Sequence, residues 1–388
     1  MDAYIVGAVR TAGGRRNGRL ADWHPVDLAA QVLNAAVDRA GVPVQVVDDV
    51  IMGCVGQAGE QSNNIARLAV MASNLPLSVP GVSIDRQCGS SQQALHFAAQ
   101  AVASGAQDIV IAAGVESMSR APMGASGRFT PHPQPGSPLS PLLAEKFPGV
   151  LFSQFSGAEE IASKYSFTRE DLDAFALTSH EKAMQATSTG AFMNEIVPIP
   201  IPDRFGEQMH TVDEGIRFDA RLESIASVKP LHEHGVISAA SSSQICDGAA
   251  AVVIASERMV TSLGLKPLAR IHTLLVTAGD PVIMLEEPLF ATRKALQKAG
   301  LSIADIDLYE VNEAFAPVPL AWLHYLEADP ARLNVNGGAI ALGHPLGASG
   351  AKLMATLVHA LKARGGRYGL QTMCEGGGMA NVTIIEVV

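Results

Sequence analysis

Cys88 stands where the sequence changes from the pattern of a strand to that of a helix. Val82 and Ile84 alternate as in a short strand, and from Gly89 onward apolar residues recur at helical spacing. A thiol in such a turn faces unpaired backbone N–H groups and the positive end of the helix dipole, and both favour the thiolate. The position therefore indicates a nucleophile, with a buried structural cysteine as the alternative.

Three further stretches carry polar side chains that could do chemistry. They are NEAF (312–315) after a predicted strand, GHPLG (343–347) in a glycine-rich turn, and CEGGG (374–378) at the end of another predicted strand. Open α/β sheets bind their ligands at the carboxyl ends of strands. With Cys88, these stretches supply two thiols, an imidazole and an amide, a set suited to carbon–carbon chemistry on thioesters.

Ordinary explanations exist for these residues too. His344, which precedes a proline, could be a satisfied loop histidine, and Asn312 and Glu313 could cap the helix that follows. The stretch GGAIALGHPLGASGAK has glycines like those of a phosphate-binding loop. However, the GxxxxGK motif requires a glycine directly before the lysine, and here Ala351 precedes Lys352.

Neither a metal site nor a disulfide framework is expected. His232 and His234 lie two apart in a polar loop without further candidate ligands nearby. The four cysteines are scattered and contain no CxxC pair, which fits reduced thiols in a reducing compartment.

Composition narrows the class of protein. A chain of 388 residues with 48% hydrophobic and 17% charged residues is typical of a well-packed α/β protein of two domains or one duplicated unit. The formal charge of −10 argues against nucleic acid as a partner. No secretory signal and no apolar run of membrane-spanning length is visible, so the cytoplasm is the expected location and a membrane is not an expected partner.

Regular elements alternate along the first third of the chain. The patterns predict strands at 3–9, 46–53 and 108–114, and helices at 27–40 and 64–73. Together with the Cys88 strand and helix, the strand at 108–114 would close a βαβ unit.

A second copy of this arrangement is visible later in the chain. AGVPVQVVDDVIMG from Ala40 and AGLSIADIDLYEVN from Ala299 share a helix end, a glycine, a spacer and an apolar strand, with the glycines 259 residues apart. The same offset places the Cys88 turn in 333–350, where a strand is again expected to precede a glycine-rich turn and a helix, and it places 108–114 near 368–374. Two such halves would turn both glycine-rich turns toward one shared crevice.

Residues 118–245 separate the two copies and differ in character. The first part is rich in Pro, Gly and Ser, and a helix from Thr168 to Ala186 follows, opened by a Thr168–Asp171 pair that resembles a capping box. This insertion is expected to fold over the crevice and shape a ligand tunnel. An oligomerisation loop is the alternative, and the two roles are compatible.

Taken in order, these segments resemble a thiolase, an acyl-CoA acetyltransferase, over nearly the whole chain. The matching stretches are VRT near the start, the Cys88 turn, TREDLDAFALTSHEKA, DGAAAV, NEAFA, GHPLGASG and CEGGG. The resemblance implies an α/β fold of duplicated α-β-α-β-α layers with an inserted loop domain. It divides the chain into an N-terminal half (1–117 with 246–266), a loop domain (118–245) that covers the active site and binds coenzyme A, and a C-terminal half (267–388).

The resemblance also implies a role for each site residue. Cys88 would carry the acyl group, His344 would be its base, and Cys374 would move the proton at the acetyl carbon. Asn312 would hold a water that forms one oxyanion hole with His344, and the N–H groups of Cys88 and Gly376 would form the other. Ketoacyl synthases share the superfamily but lack a second cysteine in a C-x-G context, which favours a thiolase.

Coenzyme A is implied as a co-substrate, with no permanently bound cofactor. Arg217 matches an arginine that lies against the adenine end in thiolases, and Ser243 matches a serine that hydrogen-bonds the pantetheine arm. An ordinary surface charge is the alternative for Arg217. The expected partners are acyl-CoA and CoA, and a homodimer or homotetramer is expected.

Three departures from the biosynthetic pattern bear on the substrate. QFSG (154–157) stands where acetoacetyl-specific enzymes usually show methionine, Cys246 replaces the usual asparagine before DGAAA, and 126–150 does not resemble the biosynthetic loop. They favour a degradative 3-oxoacyl-CoA thiolase with a pocket for a bulky acyl group, as in fatty acid β-oxidation, and QCGSSQQA resembles thiolases of lipid or steroid catabolism. The alternatives are a biosynthetic acetoacetyl-CoA thiolase, a ketoacyl-synthase-like enzyme and a non-catalytic acyl-CoA-binding protein.

Overall fold

The segments with alternating strand and helix patterns fold into most of the elements that the sequence predicts. The computed structural model describes residues 2–127, 138–203 and 206–388. Its strands are β1 Ala3–Thr11, β2 Gly14–Arg15, β3 Asp49–Gly53, β4 Gly81–Ile84, β5 Ile109–Ser117, β6 Ile196–Val197, β7 Ile199–Asp203, β8 Gly206–His210, β9 Cys246–Ser256, β10 Ala269–Ala278, β11 Leu308–Val311, β12 Tyr368–Glu375 and β13 Met379–Glu386.

The helices lie between and around these strands. They are α1 Pro25–Ala40, α2 Ile65–Ala72, α3 Ser90–Ser104, α4 Pro141–Lys146, α5 Gln154–Lys164, α6 Arg169–Ser188, α7 Leu222–Ala226, α8 Glu257–Leu263, α9 Glu287–Ala299, α10 Pro317–Leu326, α11 Ala339–Leu342 and α12 Ser349–Ala363.

The duplication is confirmed by the order of the strands. One half runs β4-β3-β5-β9-β1 and the other β11-β12-β13-β10, and the pairing of β1 with β10 joins them into one sheet. β3 and β11, α3 and α12, and β5 and β12 each begin 259 residues apart. Gly41 and Gly300 both end a helix in the left-handed region, at φ of 67° and 70°.

Helices cover the sheet in layers. α3 and α12 pack between the two halves, where buried side chains such as Leu95 and Met354 share one core with β1, β5 and β9. α1 and α2 cover the outer face of the first half. α9 and α10 cover that of the second, where Trp322 donates a hydrogen bond to Thr292 at 2.9 Å. This is the layered, duplicated α/β fold that the sequence predicts.

β4, α3 and β5 form the expected βαβ unit, with β3 between its two strands and paired in parallel with both. One local prediction was wrong: the strand expected before the second glycine-rich turn does not form. Leu333 makes an isolated bridge to Tyr309, and the chain then enters the short helix α11.

The insertion contains α4 to α7 and the two-stranded sheet of β7 and β8. Residues 128–137 of its Pro-rich segment lie outside the described residues. The capping box is confirmed: Thr168 accepts from the N–H of Asp171, and the Asp171 carboxylate accepts from the N–H of Thr168. The limits of the three domains stay a prediction. In the described part of the chain, no helix is long and apolar enough to cross a membrane.

Candidate active site

The turn between β4 and α3 holds Cys88 in a fixed position. Gln87 adopts a φ of 49°, uncommon for a residue with a side chain, and Gly89 begins α3 without a side-chain cap. The Ser90 hydroxyl accepts from the N–H of Arg86 at 2.9 Å and donates to the Gln87 carbonyl at 2.6 Å. These bonds close the turn on both sides of the cysteine, so the sulfur has little freedom to move.

The electrostatics of Cys88 differ from the expectation for a helix N-terminus. Burial, and then the nearby Glu375 carboxylate, raise the pKa of the thiol to about 12. The residue as a whole is half-buried, but its sulfur is enclosed. The helix end therefore does not by itself generate a thiolate at neutral pH. A base must take the proton as the sulfur reacts.

Cys374 lies near the end of β12 and is buried. Burial is the first cause that raises the pKa of its thiol well above the ordinary value, and the charge of Cys88 is the second. A charge on Cys88 therefore affects Cys374 through space, although their positions differ by 286 in the sequence. Next to Cys374 in the chain, a Cβ on Gly376 would lie 3.0 Å from Oε1 of Gln87, so the two turns adjoin.

His344 is buried and has one defined tautomer. Its Nδ1 lies 2.5 Å from Oγ of Ser349, and that hydroxyl donates its proton to the Pro345 carbonyl at 2.9 Å. Nδ1 therefore carries the hydrogen, and the lone pair lies on Nε2. Burial and the Lys352 charge lower the pKa of the imidazole to about 3, so the ring is neutral at physiological pH.

Asn312 adjoins this lone pair from the neighbouring strand end. Its Nδ2 lies 3.4 Å from Nε2 of His344, and its backbone N–H donates to the Thr372 carbonyl at 3.1 Å, two residues before Cys374. Its Oδ1 is buried and has no partner among the described residues. An unpaired amide oxygen beside an imidazole suits an ordered water or a substrate group.

The site residues thus form two pairs, which meet where the strand ends of Asn312 and Cys374 adjoin. Cys88 and Cys374 form one pair, and His344 and Asn312 form the other. Within the described ranges, no hydrogen bond joins either thiol to the imidazole. Such bonds are often long before substrate binds.

A cavity of about 430 Å³ leads from the surface to His344. Its lining is mainly apolar and includes Met118, Phe155, Leu231, Phe315 and Leu346. A second cavity of about 240 Å³ adjoins it and contains His180 and Asp219. Arg217, Ala239 and Gln244 line both, so the two form a continuous route.

Family comparisons match nearly the whole chain. The thiolase N-terminal domain matches residues 3–258, and the thiolase C-terminal domain matches residues 265–387. The chain belongs to the thiolase family. Thiolases are acyltransferases, so this thiolase is an enzyme of that class.

Individual thiolases agree with this membership. The steroid 3-ketoacyl-CoA thiolase FadA6 of Mycobacterium tuberculosis is 52% identical over 99% of this chain and 94% of its own length. The 3-oxoadipyl-CoA/3-oxo-5,6-dehydrosuberyl-CoA thiolase of Escherichia coli (strain K12) is 41% identical over the full length of both chains. An acetyl-CoA acetyltransferase of Chromobacterium violaceum is 40% identical, also over the full length of both.

The residues predicted to bind coenzyme A lie on the route into this thiolase. Arg217 is exposed and lines both cavities, and its backbone N–H donates to Nδ1 of His180 at 3.3 Å. Ser243 lines the larger cavity, and its N–H donates to the Ala314 carbonyl at 2.9 Å. His232 and His234 belong to no potential metal-binding group of three or more side chains within the described ranges.

Glu313 has a structural role that differs from the predicted cap of the following helix. Its carboxylate accepts from Ser179, from Asn334 and from the N–H of Ile340. It therefore holds α6 against α11, whereas the helix that follows it is α10. This arrangement anchors the segment that leads into the His344 turn.

Sequence reasoning missed three residues that contact the site. Ser349, the first residue of α12, orients His344. Lys352 donates to the carbonyls of Leu342 and Gly343, the two residues before His344. Glu375 packs against the Cys88 turn. Ser349 lies five residues after the histidine inside GHPLGASG and could have been suspected. A buried Glu375 carries no such signal.

Proposed function

We propose that this thiolase cleaves 3-oxoacyl-CoA with CoA to acetyl-CoA and an acyl-CoA shortened by two carbons. The proposal is carried by the geometry around Cys374: a Cβ on Gly376 would lie 3.0 Å from Oε1 of Gln87 in the Cys88 turn. On the other side, Asn312 bonds to Thr372 of the Cys374 strand, and its Nδ2 lies 3.4 Å from Nε2 of His344. A nucleophile, a separate acid and a base are what cleavage of a carbon–carbon bond next to a thioester requires.

In the first step, Sγ of Cys88 attacks the 3-oxo carbon as Nε2 of His344 takes the thiol proton. The bond between carbons 2 and 3 then breaks, and its electron pair leaves with the acetyl-CoA enolate. Cys374 gives its proton to carbon 2, which releases acetyl-CoA and leaves the acyl group on Cys88. The high pKa of Cys374 suits this role, because its thiol stays protonated until an enolate is present to accept the proton.

In the second step, the thiol of a new CoA attacks the acyl-enzyme and Cys88 leaves as the thiolate. The proton balance closes when the CoA proton passes to Cys374 and the proton on His344 returns to Cys88. Asn312 would hold a water that forms one oxyanion hole with His344, and the N–H groups of Cys88 and Gly376 would form the other. Each such donor contributes about 3 kcal/mol in other enzymes.

The larger cavity supports an acyl group bulkier than acetoacetyl. Its wall is mainly apolar, and Met123, Leu231 and Ile245 leave 42%, 41% and 38% of their surface exposed at its opening. Apolar side chains exposed around a cavity gain stability when an apolar ligand covers them. We therefore assign degradation of lipid-derived 3-oxoacyl-CoA esters, including ring-bearing ones, rather than synthesis from two acetyl-CoA.

Coenzyme A would lie along the route shared by the two cavities. Arg217 would contact the adenine end, and the Ser243 hydroxyl, which has no hydrogen bond to the described residues, would bind the pantetheine arm. No permanently bound cofactor takes part in the scheme.

Assembly and location belong to the same proposal. We expect a homodimer or homotetramer in the cytoplasm, acting in fatty acid β-oxidation or related lipid degradation. β4 ends the sheet, and Val82 on it and Met71 beside it are 44% and 54% exposed, which supports association through this edge. Light scattering of the purified chain tests this, and a monomer at micromolar concentration would contradict it.

Trapping the acyl-enzyme tests the reaction scheme. Incubation with a medium-chain 3-oxoacyl-CoA without CoA should add the acyl mass to Cys88 and release one acetyl-CoA. Cys88→Ala should lose both, whereas Cys374→Ala should lose turnover and the exchange of acetyl-CoA carbon-2 protons with D2O. Cys54→Ala, which removes another buried thiol, serves as the control and should keep all four readouts. Acylation of Cys88→Ala at another residue would refute the assignment.

A further inference from the structure

The larger cavity contains positive charge that the reaction and the CoA route do not use. Two arginines, Arg16 and Arg217, line it, and no Asp or Glu does, although the chain carries a formal charge of −10. Arg217 belongs to the CoA route. The guanidinium of Arg16 takes part in no hydrogen bond or ion pair with the described residues, and its neighbour Arg15 faces Glu214 instead.

Arg16 is presented by a tight and well-anchored turn. The N–H of Gly18 donates to the Arg15 carbonyl at 2.8 Å, and Asn17 adopts a φ of 56°. Oε2 of Glu214 accepts from the N–H groups of Arg15 and Arg19, at 3.1 and 2.8 Å. The turn is therefore held at both ends by one carboxylate from the insertion.

A further bond connects this turn to the cavity wall. The N–H of Asn17 donates to Oγ of Ser119 at 2.7 Å, and Ser119 directly follows Met118, a lining residue. Glycine is needed at position 18, because a Cβ there would lie 2.4 Å from the Glu214 carboxylate that holds the turn. A preorganised turn binds a ligand at a smaller entropic cost than a flexible loop.

Gln154 brings a second polar group to the same wall. It begins α5 and lines the cavity with Arg16. The only hydrogen bond of its side chain to the described residues goes from Nε2 to the weak acceptor Sδ of Met123, at 3.7 Å. The cavity thus combines an apolar wall with a guanidinium and an amide that lack strong partners. Ligand sites typically have this composition, and the few polar groups in them decide specificity.

We propose that Arg16, assisted by Gln154, binds a carboxylate at the far end of the acyl group. The preferred substrates are then 3-oxoacyl-CoA esters of dicarboxylic acids, with an apolar chain or ring between the two ends. Arginine binds carboxylates through two parallel hydrogen bonds and discriminates against a methyl end. This inference rests on the proposed thiolytic reaction and specifies its substrate.

A phosphate of CoA is the other anion that Arg16 could bind. The carboxylate is favoured because Arg16 belongs to the turn after β2 and lines only the larger cavity, whereas Arg217 and Ser243 belong to the insertion. Of the two arginines, Arg217 is the one that lines both cavities and is placed to serve CoA.

The test compares substrates of equal length that differ only at the end of the chain. The rate constant kcat/KM is measured for 3-oxosuberyl-CoA and 3-oxooctanoyl-CoA, and for 3-oxoadipyl-CoA and 3-oxohexanoyl-CoA, with wild type, Arg16→Met, Arg16→Lys and Gln154→Met. The matched control is Arg15→Met, which removes the adjacent exposed arginine outside the cavity lining.

Wild type should prefer the carboxylate in at least one pair, and Arg16→Met should lower that preference at least about tenfold. Arg16→Lys should keep part of it, Gln154→Met should weaken it less, and Arg15→Met should leave it unchanged. An equal preference in wild type and Arg16→Met would overturn the proposal. The proposal would also be overturned if Arg16→Met raised the KM for CoA equally with the carboxylate-ended and the methyl-ended esters, because Arg16 would then bind a CoA phosphate.

Failure of the proposed function gives a different result. If wild type turns over none of the four esters, the thiolytic assignment is wrong. Equilibrium binding of 3-oxosuberyl-CoA and 3-oxooctanoyl-CoA to wild type and Arg16→Met still decides the role of Arg16. Loss of the carboxylate ester's advantage only in the variant would support the proposal, and equal binding in both proteins would overturn it.

Discussion

The 2.5 Å contact between Nδ1 of His344 and Oγ of Ser349 determines which nitrogen of the imidazole can act as a base. The Ser349 hydroxyl donates its own hydrogen to the Pro345 carbonyl at 2.9 Å, so it can only accept a hydrogen bond from the ring. Nδ1 is therefore protonated, and the lone pair of the imidazole lies on Nε2, on the side of Asn312.

Ser349→Ala should therefore lower kcat at least about tenfold with little change in KM, because the ring loses its orientation and its tautomer. Ser349→Thr retains the hydroxyl and should restore most of the rate. Steady-state kinetics with a medium-chain 3-oxoacyl-CoA provide the measurement. A Ser349→Ala enzyme with wild-type kcat would show that the contact has no catalytic role.

Glu375→Gln should make Cys88 more reactive toward iodoacetamide at alkaline pH. Burial raises the pKa of Glu375 to about 8, both carboxylate oxygens lack partners among the described residues, and a Cβ on Gly89 would overlap Oε1. Above pH 8 the carboxylate is ionised and raises the pKa of Cys88, so its removal lowers that pKa. Below pH 8 it is increasingly protonated in wild type, and the difference should fade.

The measurement is the alkylation rate of Cys88 by mass spectrometry from pH 7 to 10, where one pKa unit corresponds to about a tenfold change in the thiolate fraction. Glu375→Asp keeps the charge and serves as the control. Equal rates for wild type and Glu375→Gln at pH 10 would contradict the interaction.

Lys352→Met should shift the acidic limb of the kcat/KM profile to higher pH. The buried Lys352 ammonium is the second cause, after burial, that lowers the pKa of His344 to about 3. Without it the imidazole becomes easier to protonate, so its basic form is lost at a higher pH. Lys352→Arg keeps the charge and should retain the wild-type profile. An unchanged acidic limb in Lys352→Met would remove Lys352 from the electrostatics of the site.

Arg10→Met should destabilise the fold at neutral pH. Arg10 is fully buried and pairs with Glu195 at 2.6 Å and Asp213 at 2.8 Å, which ties β1 to the insertion. Removing one partner of a buried ion pair typically costs about 3–5 kcal/mol, because a carboxylate stays buried without its counter-charge.

The pH dependence of this loss has a definite sign. Arg10 and Lys352 overcome the effect of burial and lower the pKa of Asp213, so its contribution to stability is present at neutral pH and is lost as pH falls through the folded-state pKa. Because that pKa lies below its ordinary value, wild-type Asp213 keeps its charge at pH 4. In Arg10→Met burial raises the pKa of Asp213, so the carboxyl takes a proton as pH falls and the buried charge disappears. Urea unfolding at pH 7 and pH 4 should therefore show a smaller difference between wild type and Arg10→Met at pH 4. Arg15→Met, at the exposed pair with Glu214, should match wild type at both values.

Local sequence patterns determined the elements and the duplication of this protein. Helix ends such as Gly41 and Gly300, and apolar periods of 2 and 3.6, act over a few residues and can be seen in one sequence. Motifs such as NEAF, GHPLG and CEGGG likewise indicated the thiolase family, because their order along the chain is specific. The strand expected before the glycine-rich turn in 333–350 does not form, because a short apolar run does not distinguish a strand from a loop that packs against one.

The tertiary structure alone decided the charge states and the route to the site. Helix geometry predicts a lowered pKa for Cys88, but burial and Glu375, which is far away in the sequence, raise it to about 12. Tertiary packing likewise decides which nitrogen of His344 is unprotonated, and it places Arg16 in the lining of an apolar cavity. Desolvation and Coulomb interactions depend on distance in space, and a sequence does not specify that distance until the chain has folded.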